Sequence, residues 1–176
     1  MVAHAEVWDA FAGLLSYPAG NADRVRGEWR ERVVAQFPTL QSELAPLADL
    51  ARERGEGECE ELYTRTFDGS AERALELGWH IHGENYARGV LLVRLRSMLR
   101  TAQLDEGGEL PDHVSNVLRL LGRVDETTAS ALVQHVLLPG LDKLVERFSD
   151  SANPYQPALV ALRRALASER EMRSAS

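Results

Sequence analysis

Hydrophobic positions recur along this chain with the spacing of α-helices. The first run has apolar side chains at Val7, Trp8, Phe11, Leu14 and Leu15. Intervals of three and four residues place such side chains on one face of a helix. Strict alternation of apolar and polar residues, which is typical of a half-buried strand, forms no convincing run. The pattern therefore predicts an all-α fold.

Glycine, proline and small polar residues divide the remaining chain into further helices. We predict the following: a helix capped by Asn21, one over 39–54, one around Leu62 to Phe67, a short one from Ser70 through Trp79, one over 84–101, one over 111–121, a long one from Glu126 that Pro139 kinks, and a last one from Asn153. The expectation is a single domain over residues 1–176 with about seven or eight helices. The loop at 102–111, which contains Gly107 and Gly108, is predicted to act as a hinge between two packed halves.

Arg88 lies within the apolar stripe of the predicted helix over 84–101, close to Leu95 on a helical wheel. A charge that faces a core needs a partner, because an isolated buried charge is costly. One interpretation is a buried ion pair between Arg88 and an acid such as Asp68 or Asp112. The other is that Arg88 organises a polar pocket between the helices.

Composition and charge narrow the class of partner. The chain has 176 residues, of which 44% are hydrophobic, and a formal net charge of −7. A chain of this length buries roughly 70% of its unfolded surface, which is enough for a core without disulfides. The negative charge disfavours nucleic acid and anionic membranes as partners, whereas a basic peptide would be attracted.

Cysteine content and the N-terminal sequence bear on the cellular location. Cys59 is the single cysteine, so the chain forms no internal disulfide and no multi-cysteine metal site. Glu58, Glu60 and Glu61 surround it, and their charge disfavours a reactive thiolate, so we expect a packed structural cysteine. Residues 1–16 lack the pattern of a signal peptide, and no apolar run is long enough to span a bilayer. We expect a cytoplasmic protein without direct membrane insertion.

Histidines provide the only candidate for metal chemistry. His80 and His82 with Glu84, together with His113, suggest an alternative function as a small metal-binding protein or metal-dependent hydrolase. Helix positions two residues apart point about 200° away from each other, so His80 and His82 do not share a metal on a regular helix. We expect neither a bound metal nor another cofactor.

The segment around Pro111 favours the start of a helix. Proline is common at the first helical position, and Asp112 would then lie in the first turn, where a carboxylate is stabilised by the helix dipole. His113 beside it either forms a hydrogen bond with the loop or presents its imidazole to a ligand.

Four segments in this order resemble the NarJ branch of the TorD/DmsD/NarJ family of molybdoenzyme maturation chaperones. They are Leu14-Leu15-Ser16-Tyr17-Pro18, Leu62-Tyr63-Thr64-Arg65-Thr66-Phe67-Asp68, His82-Gly83-Glu84-Asn85-Tyr86-Ala87-Arg88-Gly89 and Glu109-Leu110-Pro111-Asp112-His113-Val114. The last is similar almost letter for letter to the family signature. Together the segments span about two thirds of the chain.

The resemblance implies a cytoplasmic, non-catalytic, all-helical chaperone dedicated to one molybdenum oxidoreductase. Members bind the N-terminal twin-arginine leader, or its remnant, on the catalytic subunit. They retain it until the molybdopterin cofactor and the iron–sulfur cluster are inserted, before export or membrane assembly. The resemblance implies a monomer or a domain-swapped dimer.

The resemblance also assigns a client-binding site. It implies that Glu109, Pro111, Asp112 and His113 lie at the hinge, at or beside the bound client segment. Tyr63, Phe67, His82 and Arg88 match the remaining motif positions and are expected to line the same groove. Residues 77–80 (Leu-Gly-Trp-His) replace a phenylalanine-containing stretch, and the chain is shorter than the nitrate-reductase members. We therefore expect a client related to nitrate reductase, such as a selenate, chlorate or dimethyl-sulfide enzyme.

Overall fold

The computed structural model describes residues 2–20, 22–149 and 152–174, except for the side chains of 2–4, 22–25 and 172–174. It confirms the all-α prediction, because the described residues form helices, turns and loops with one isolated β-bridge between Glu76 and His113. The α-helices are α1 Val2–Leu14, α2 Ala22–Gln36, α3 Gln41–Arg54, α4 Glu56–Tyr63, α5 Leu77–His82, α6 Tyr86–Thr101, α7 Val114–Leu121, α8 Glu126–Leu132, α9 Leu138–Val145 and α10 Tyr155–Ser174.

Helix α7 lies at the centre of the core. Seven of its eight residues are buried, and the exception is Arg119. Helix α1 packs against both α7 and α2, and its predicted apolar face is buried. Gly13 is required where α1 meets α2, since a Cβ atom there would overlap the indole ring of Trp29. These helices form the wall behind the predicted hinge loop.

The long helix predicted from Glu126 is interrupted near Pro139, as predicted. A π-helical turn, Val133–Leu137, joins α8 to α9 just before the proline. Proline has no N–H group for the helical hydrogen bond, and a π turn changes the hydrogen-bond register around such a defect. A second π turn, Thr64–Asp68, extends α4 and contains the buried Phe67.

The prediction of one continuous helix from Ser70 through Trp79 is wrong. A single 3-10 turn, Ala71–Arg73, is followed by non-helical residues before α5 begins at Leu77. The reason is a long-range backbone pairing: the Leu77 N–H donates to the Asp112 carbonyl at 2.9 Å, and the Val114 N–H donates to the Leu75 carbonyl at 2.9 Å. Ser70 forms no side-chain cap.

The helix predicted to start at Pro111 starts three residues later, at Val114. His113 is its N-cap, with the extended backbone that this position requires (φ −61°, ψ 136°). Asp112 therefore lies outside the helix, because its carbonyl and its carboxylate are both engaged by other elements. The helix-dipole role expected for Asp112 is thus incorrect.

Three further expectations concern individual positions. Asn21, the predicted cap of α2, lies outside the described residues. Cys59 is buried against Ala51 as expected, and burial raises the pKa of its thiol. Within the described part of the chain, no helix combines the length and apolar character needed to cross a membrane.

Candidate functional site

A buried ion pair anchors the loop that precedes α7. Arg88, in the first turn of α6, donates from Nε to Asp112 Oδ2 at 2.9 Å and from Nη2 to Oδ1 at 3.4 Å. The Asp112 side chain is fully buried, while Arg88 remains 17% exposed. This confirms one of the two partners that sequence analysis proposed for Arg88. The arginine also lies over the Trp79 ring, 5.7 Å from its centroid.

Gly78 makes this ion pair possible. A Cβ atom at that position would lie 2.5 Å from Asp112 Oδ2. Any larger residue would push the carboxylate away from Arg88. Gly78 belongs to the stretch 77–80 that departs from the family pattern, and its small size has this local structural reason.

His113 closes the same loop from the other side. Its Nδ1 accepts a hydrogen bond from the Ser115 N–H at 3.2 Å and lies 2.7 Å from the Ser115 hydroxyl. An Nδ1 atom that accepts from a backbone amide is unprotonated, so the neutral ring has its proton on Nε2. Burial lowers the pKa of His113 to about 4, which keeps it uncharged at neutral pH.

The loop predicted over 102–111 extends from 102 to 113, and it is fixed at several points. Arg96 forms a bidentate ion pair with Glu106 at 2.7 and 3.1 Å. Asn116 donates from Nδ2 to the Glu106 and Leu110 carbonyls. Arg119 donates to the Asp105 carbonyl at 2.7 Å. Hinge motion about this loop stays a prediction.

A groove of about 430 Å³ runs between the end of α1, this loop and α7. We call it the tyrosine groove, after Tyr17, which lines it and is 46% exposed. Glu109 and His113 also line it, as the resemblance implies. Tyr17 belongs to the N-terminal motif, but sequence analysis gave it no binding role. Its exposure depends on how α1 and α4 pack, which no local sequence pattern indicates.

Most charges in the tyrosine groove are neutralised within the protein. Arg123 forms a bidentate pair with Asp9, with both distances 2.7 Å. Glu109 differs, because its carboxylate forms no ion pair among the described residues. Partial burial and the neighbouring charge of Asp68 raise the pKa of Glu109. Such a carboxylate gains from an added cation.

Further carboxylates act on the tyrosines of this groove. Partial burial and the charges of Glu60 and Asp68 raise the pKa of Tyr17. Burial, followed by the charge of Glu109, raises the pKa of Tyr63 strongly. Carboxylates from α4, from the π turn after it and from the hinge loop therefore act on both tyrosines, whereas Arg119 and Arg123 are cations that line the groove.

Tyr63 and Phe67 form the support behind the groove. Both are buried, and their rings are 5.0 Å apart. The Tyr63 ring contacts exposed Tyr17 edge-on at 5.4 Å, and the Phe67 ring contacts Tyr155 at 4.7 Å. Of the predicted site residues, five are buried: Tyr63, Phe67, Pro111, Asp112 and His113. The first four are absent from the groove lining and shape it from behind, whereas His113 lines it although only 3% of its surface is exposed.

The structure separates His82 from these residues. It lies at the end of α5 and lines a second groove together with Tyr86, Arg94 and His135. The tyrosine groove does not include it. Of the residues expected to share one lining, the tyrosine groove contains Glu109 and His113, and Arg88 lies behind them, paired with Asp112. Binding of a client segment at these residues stays a prediction.

The metal-binding alternative is not favoured by the arrangement of its ligands. His80 lies 2.6 Å from the Ala74 carbonyl through Nε2, and burial lowers its pKa. His113 is engaged by Ser115. Among the residues that the structure describes, no group of three or more His, Cys, Asp or Glu side chains converges as a metal site.

Comparison with known proteins agrees with the resemblance. Residues 35–161 match the family model described as the nitrate reductase delta subunit. The match includes α3 to α9 and the whole segment from Tyr63 to His113 that forms the site. A search of curated proteins finds no matching relative.

Proposed function

The chain belongs to the nitrate reductase delta subunit family, a family of molybdoenzyme maturation chaperones, and we propose that its tyrosine groove binds the N-terminal leader segment of a molybdoenzyme catalytic subunit. The leader, or its remnant, is retained while the molybdenum cofactor is inserted and before export or membrane assembly. This role takes place in the cytoplasm and requires binding and release without a catalytic step.

The observation that supports this proposal best is that Glu109, which forms no ion pair among the described residues, lines the same groove as the exposed ring of Tyr17. A twin-arginine leader is a basic segment followed by an apolar stretch. A guanidinium group can pair with the carboxylate and stack on the tyrosine face. The fields of Glu60 and Asp68 add long-range attraction for the same segment.

The remaining predicted residues act indirectly in this proposal. The Arg88–Asp112 ion pair fixes the loop that holds Glu109, and the neutral His113 avoids a positive charge next to the basic ligand. Tyr63 and Phe67 support the ring of Tyr17. The site therefore combines two contact residues with a rigid surround, which lowers the entropy cost of binding.

A calorimetric titration tests the proposal. The probe is a synthetic peptide with the N-terminal sequence of a nitrate reductase-type catalytic subunit. We expect micromolar binding by the wild-type chain and about tenfold weaker binding by Glu109→Gln and by Tyr17→Ala, since each loses one charged or aromatic contact of about 1.4 kcal/mol.

Glu61→Gln is the matched control. It removes the same charge from α4, at a side chain that is 73% exposed and paired with Arg65 outside the groove. We expect its affinity to remain within twofold of wild type. Absence of binding by the wild-type chain, or an equal effect of Glu61→Gln and Glu109→Gln, would contradict the proposal.

A further inference from the structure

Helix α6 has two apolar faces, and only one of them is covered. Leu95 and Leu99 are buried on the inner face. Tyr86 and Val93 are 87% and 68% exposed. Together with Val90 they follow the i, i+4, i+7 spacing that places side chains on one side of a helix. Large hydrophobic side chains aligned on an exposed face indicate an interaction surface.

The outer face of α6 continues into an apolar groove of about 590 Å³. Tyr86, Val90 and Leu91 form one wall, and Val136 contributes from the π turn Val133–Leu137. π turns within helices occur frequently at functional sites. We call this groove, with the exposed face of α6, the α6 surface.

Apart from Tyr86, the ionisable side chains that line this groove are two histidines and one arginine. His82, Arg94 and His135 line the groove, and no carboxylate is among its described lining residues. Arg94 forms no ion pair or hydrogen bond within the described part of the chain. This is the opposite of the tyrosine groove and of the net charge of −7. A complementary ligand has apolar side chains flanked by carboxylates.

We propose that the α6 surface binds an acidic amphipathic helix in the folded part of the client's catalytic subunit, outside its leader. The spacing of Tyr86, Val90 and Val93 matches helix-in-groove recognition, in which side chains two turns apart serve as anchors. Carboxylates of the bound helix pair with Arg94. This inference rests on the proposed function, since the same client supplies both segments.

A second copy of this chain fits the surface poorly. The most acidic helix among the described residues is α4, which contains four glutamates, Glu56, Glu58, Glu60 and Glu61. Its apolar residues Cys59 and Tyr63 are buried in its own subunit. This helix would offer carboxylates to the α6 surface but no exposed apolar stripe. It would therefore complement the charge of the surface and leave its apolar side chains uncovered. The client is therefore the occupant that the chemistry favours.

Binding at two chemically opposite surfaces strengthens retention of the client. The leader occupies the acidic tyrosine groove, while an acidic helix of the same subunit occupies the basic α6 surface. The second contact becomes intramolecular once the first has formed, which increases the overall affinity without new contacts at the first site.

The test uses a catalytic subunit without its leader and, separately, the leader peptide. Both are titrated with the full chain as wild type, as Tyr86→Ser/Val93→Ser and as Arg94→Glu. For the leaderless subunit we expect at least tenfold weaker binding by the double variant, and threefold or more by Arg94→Glu. Arg32→Glu, the same charge reversal at an exposed arginine of α2, is the control and should bind as wild type. Leader-peptide affinity should be unchanged in all variants.

The outcomes separate this inference from the proposed function. If the wild-type chain does not bind the leaderless subunit, or if the double variant binds it equally well, the α6 proposal is overturned even when leader binding persists. A wild-type dimer in sedimentation that the double variant abolishes would also overturn it, by identifying a second copy as the occupant. If the double variant loses its helical circular dichroism, the affinities of Arg94→Glu and Arg32→Glu for the leaderless subunit are compared instead. Equal affinities of these two variants would overturn the α6 proposal.

Discussion

The segment 109–113 has two sides with different physical roles. Glu109 faces the tyrosine groove and has no ion-pair partner among the described residues. Asp112 and His113, three and four residues later, are buried and are held by Arg88 and Ser115. One short motif thus combines a residue suited to contact a ligand with residues that hold the loop in place.

This difference separates affinity from stability within a single motif. Substitutions on the inner side act on the free energy of unfolding, because they leave buried polar groups without partners. Substitutions on the outer side act on ligand binding, because the groups they remove are solvated in the free protein. A loss of function after mutation of this motif therefore needs both measurements to be interpreted.

Asp112→Ala should have the largest effect on the inner side. It leaves the largely buried Arg88 guanidinium without its carboxylate, at a cost of about 3 kcal/mol in the free energy of unfolding. Urea denaturation followed by circular dichroism measures this loss. Replacing both partners, as Arg88→Met with Asp112→Leu, should recover most of it, because no unpaired charge remains.

Glu109→Gln is the control for Asp112→Ala on the outer side of the motif. Its free energy of unfolding should stay within about 0.5 kcal/mol of wild type, as is usual for surface substitutions. The comparison between the two sides fails if Asp112→Ala costs less than about 1 kcal/mol, or if Glu109→Gln destabilises the protein as much.

The buried His113 should make a smaller contribution to the free energy of unfolding, and this contribution should depend on pH. Its pKa is lowered from 6.5 to about 4 in the folded chain. The unfolded chain therefore binds more protons between these pH values, and the folded state loses stability as pH falls through this window. His113 should contribute about 2 kcal/mol of stability at pH 7 that is absent at pH 5.

His113→Asn isolates this contribution, since asparagine retains N-cap capacity and does not titrate. The difference in unfolding free energy between pH 7 and pH 5 should be about 2 kcal/mol smaller in the variant than in wild type. The carboxylates of both proteins titrate in the same way, so their contribution cancels when the pH dependence of the variant is subtracted from that of wild type. Identical pH dependence in the two proteins would show that His113 is not buried as a neutral group.

Much of the fold follows from local sequence signals. The apolar periodicity of α1 and the proline at 139 predict the helix and the interruption that the structure contains. The Arg88–Asp112 pair is also predictable, because a charge within an apolar stripe requires a buried partner. The family motifs additionally single out the loop before α7 as the predicted site.

Contacts between distant parts of the chain are not predictable in this way. The backbone pairing of Leu75 and Leu77 with the loop before α7 overrides the helical tendency of the region after Ser70. Arg26 is similar: it is buried and donates from Nη2 to the Tyr155 hydroxyl at 2.7 Å, across 129 residues of sequence. No periodic pattern marks such a pair.

The candidate site likewise combines features that the sequence predicts with features that depend on packing. Glu109 was identified through its motif, whereas the exposure of Tyr17 and the burial of Tyr63 depend on how α1 and α4 pack. The separation of His82 from the tyrosine groove depends on the turn at Gly83, which ends α5 and changes the direction of the chain before α6.

Site-specific photocrosslinking tests the central claim most directly. A benzophenone amino acid replaces Tyr17 in one variant and Tyr86 in another, and each variant is irradiated with the leader peptide. Tyr17 lines the tyrosine groove and Tyr86 lines the α6 surface. We predict crosslinking of the peptide at position 17 and background levels at position 86. Efficient crosslinking at position 86 with none at position 17 would contradict the assignment of the leader to the tyrosine groove.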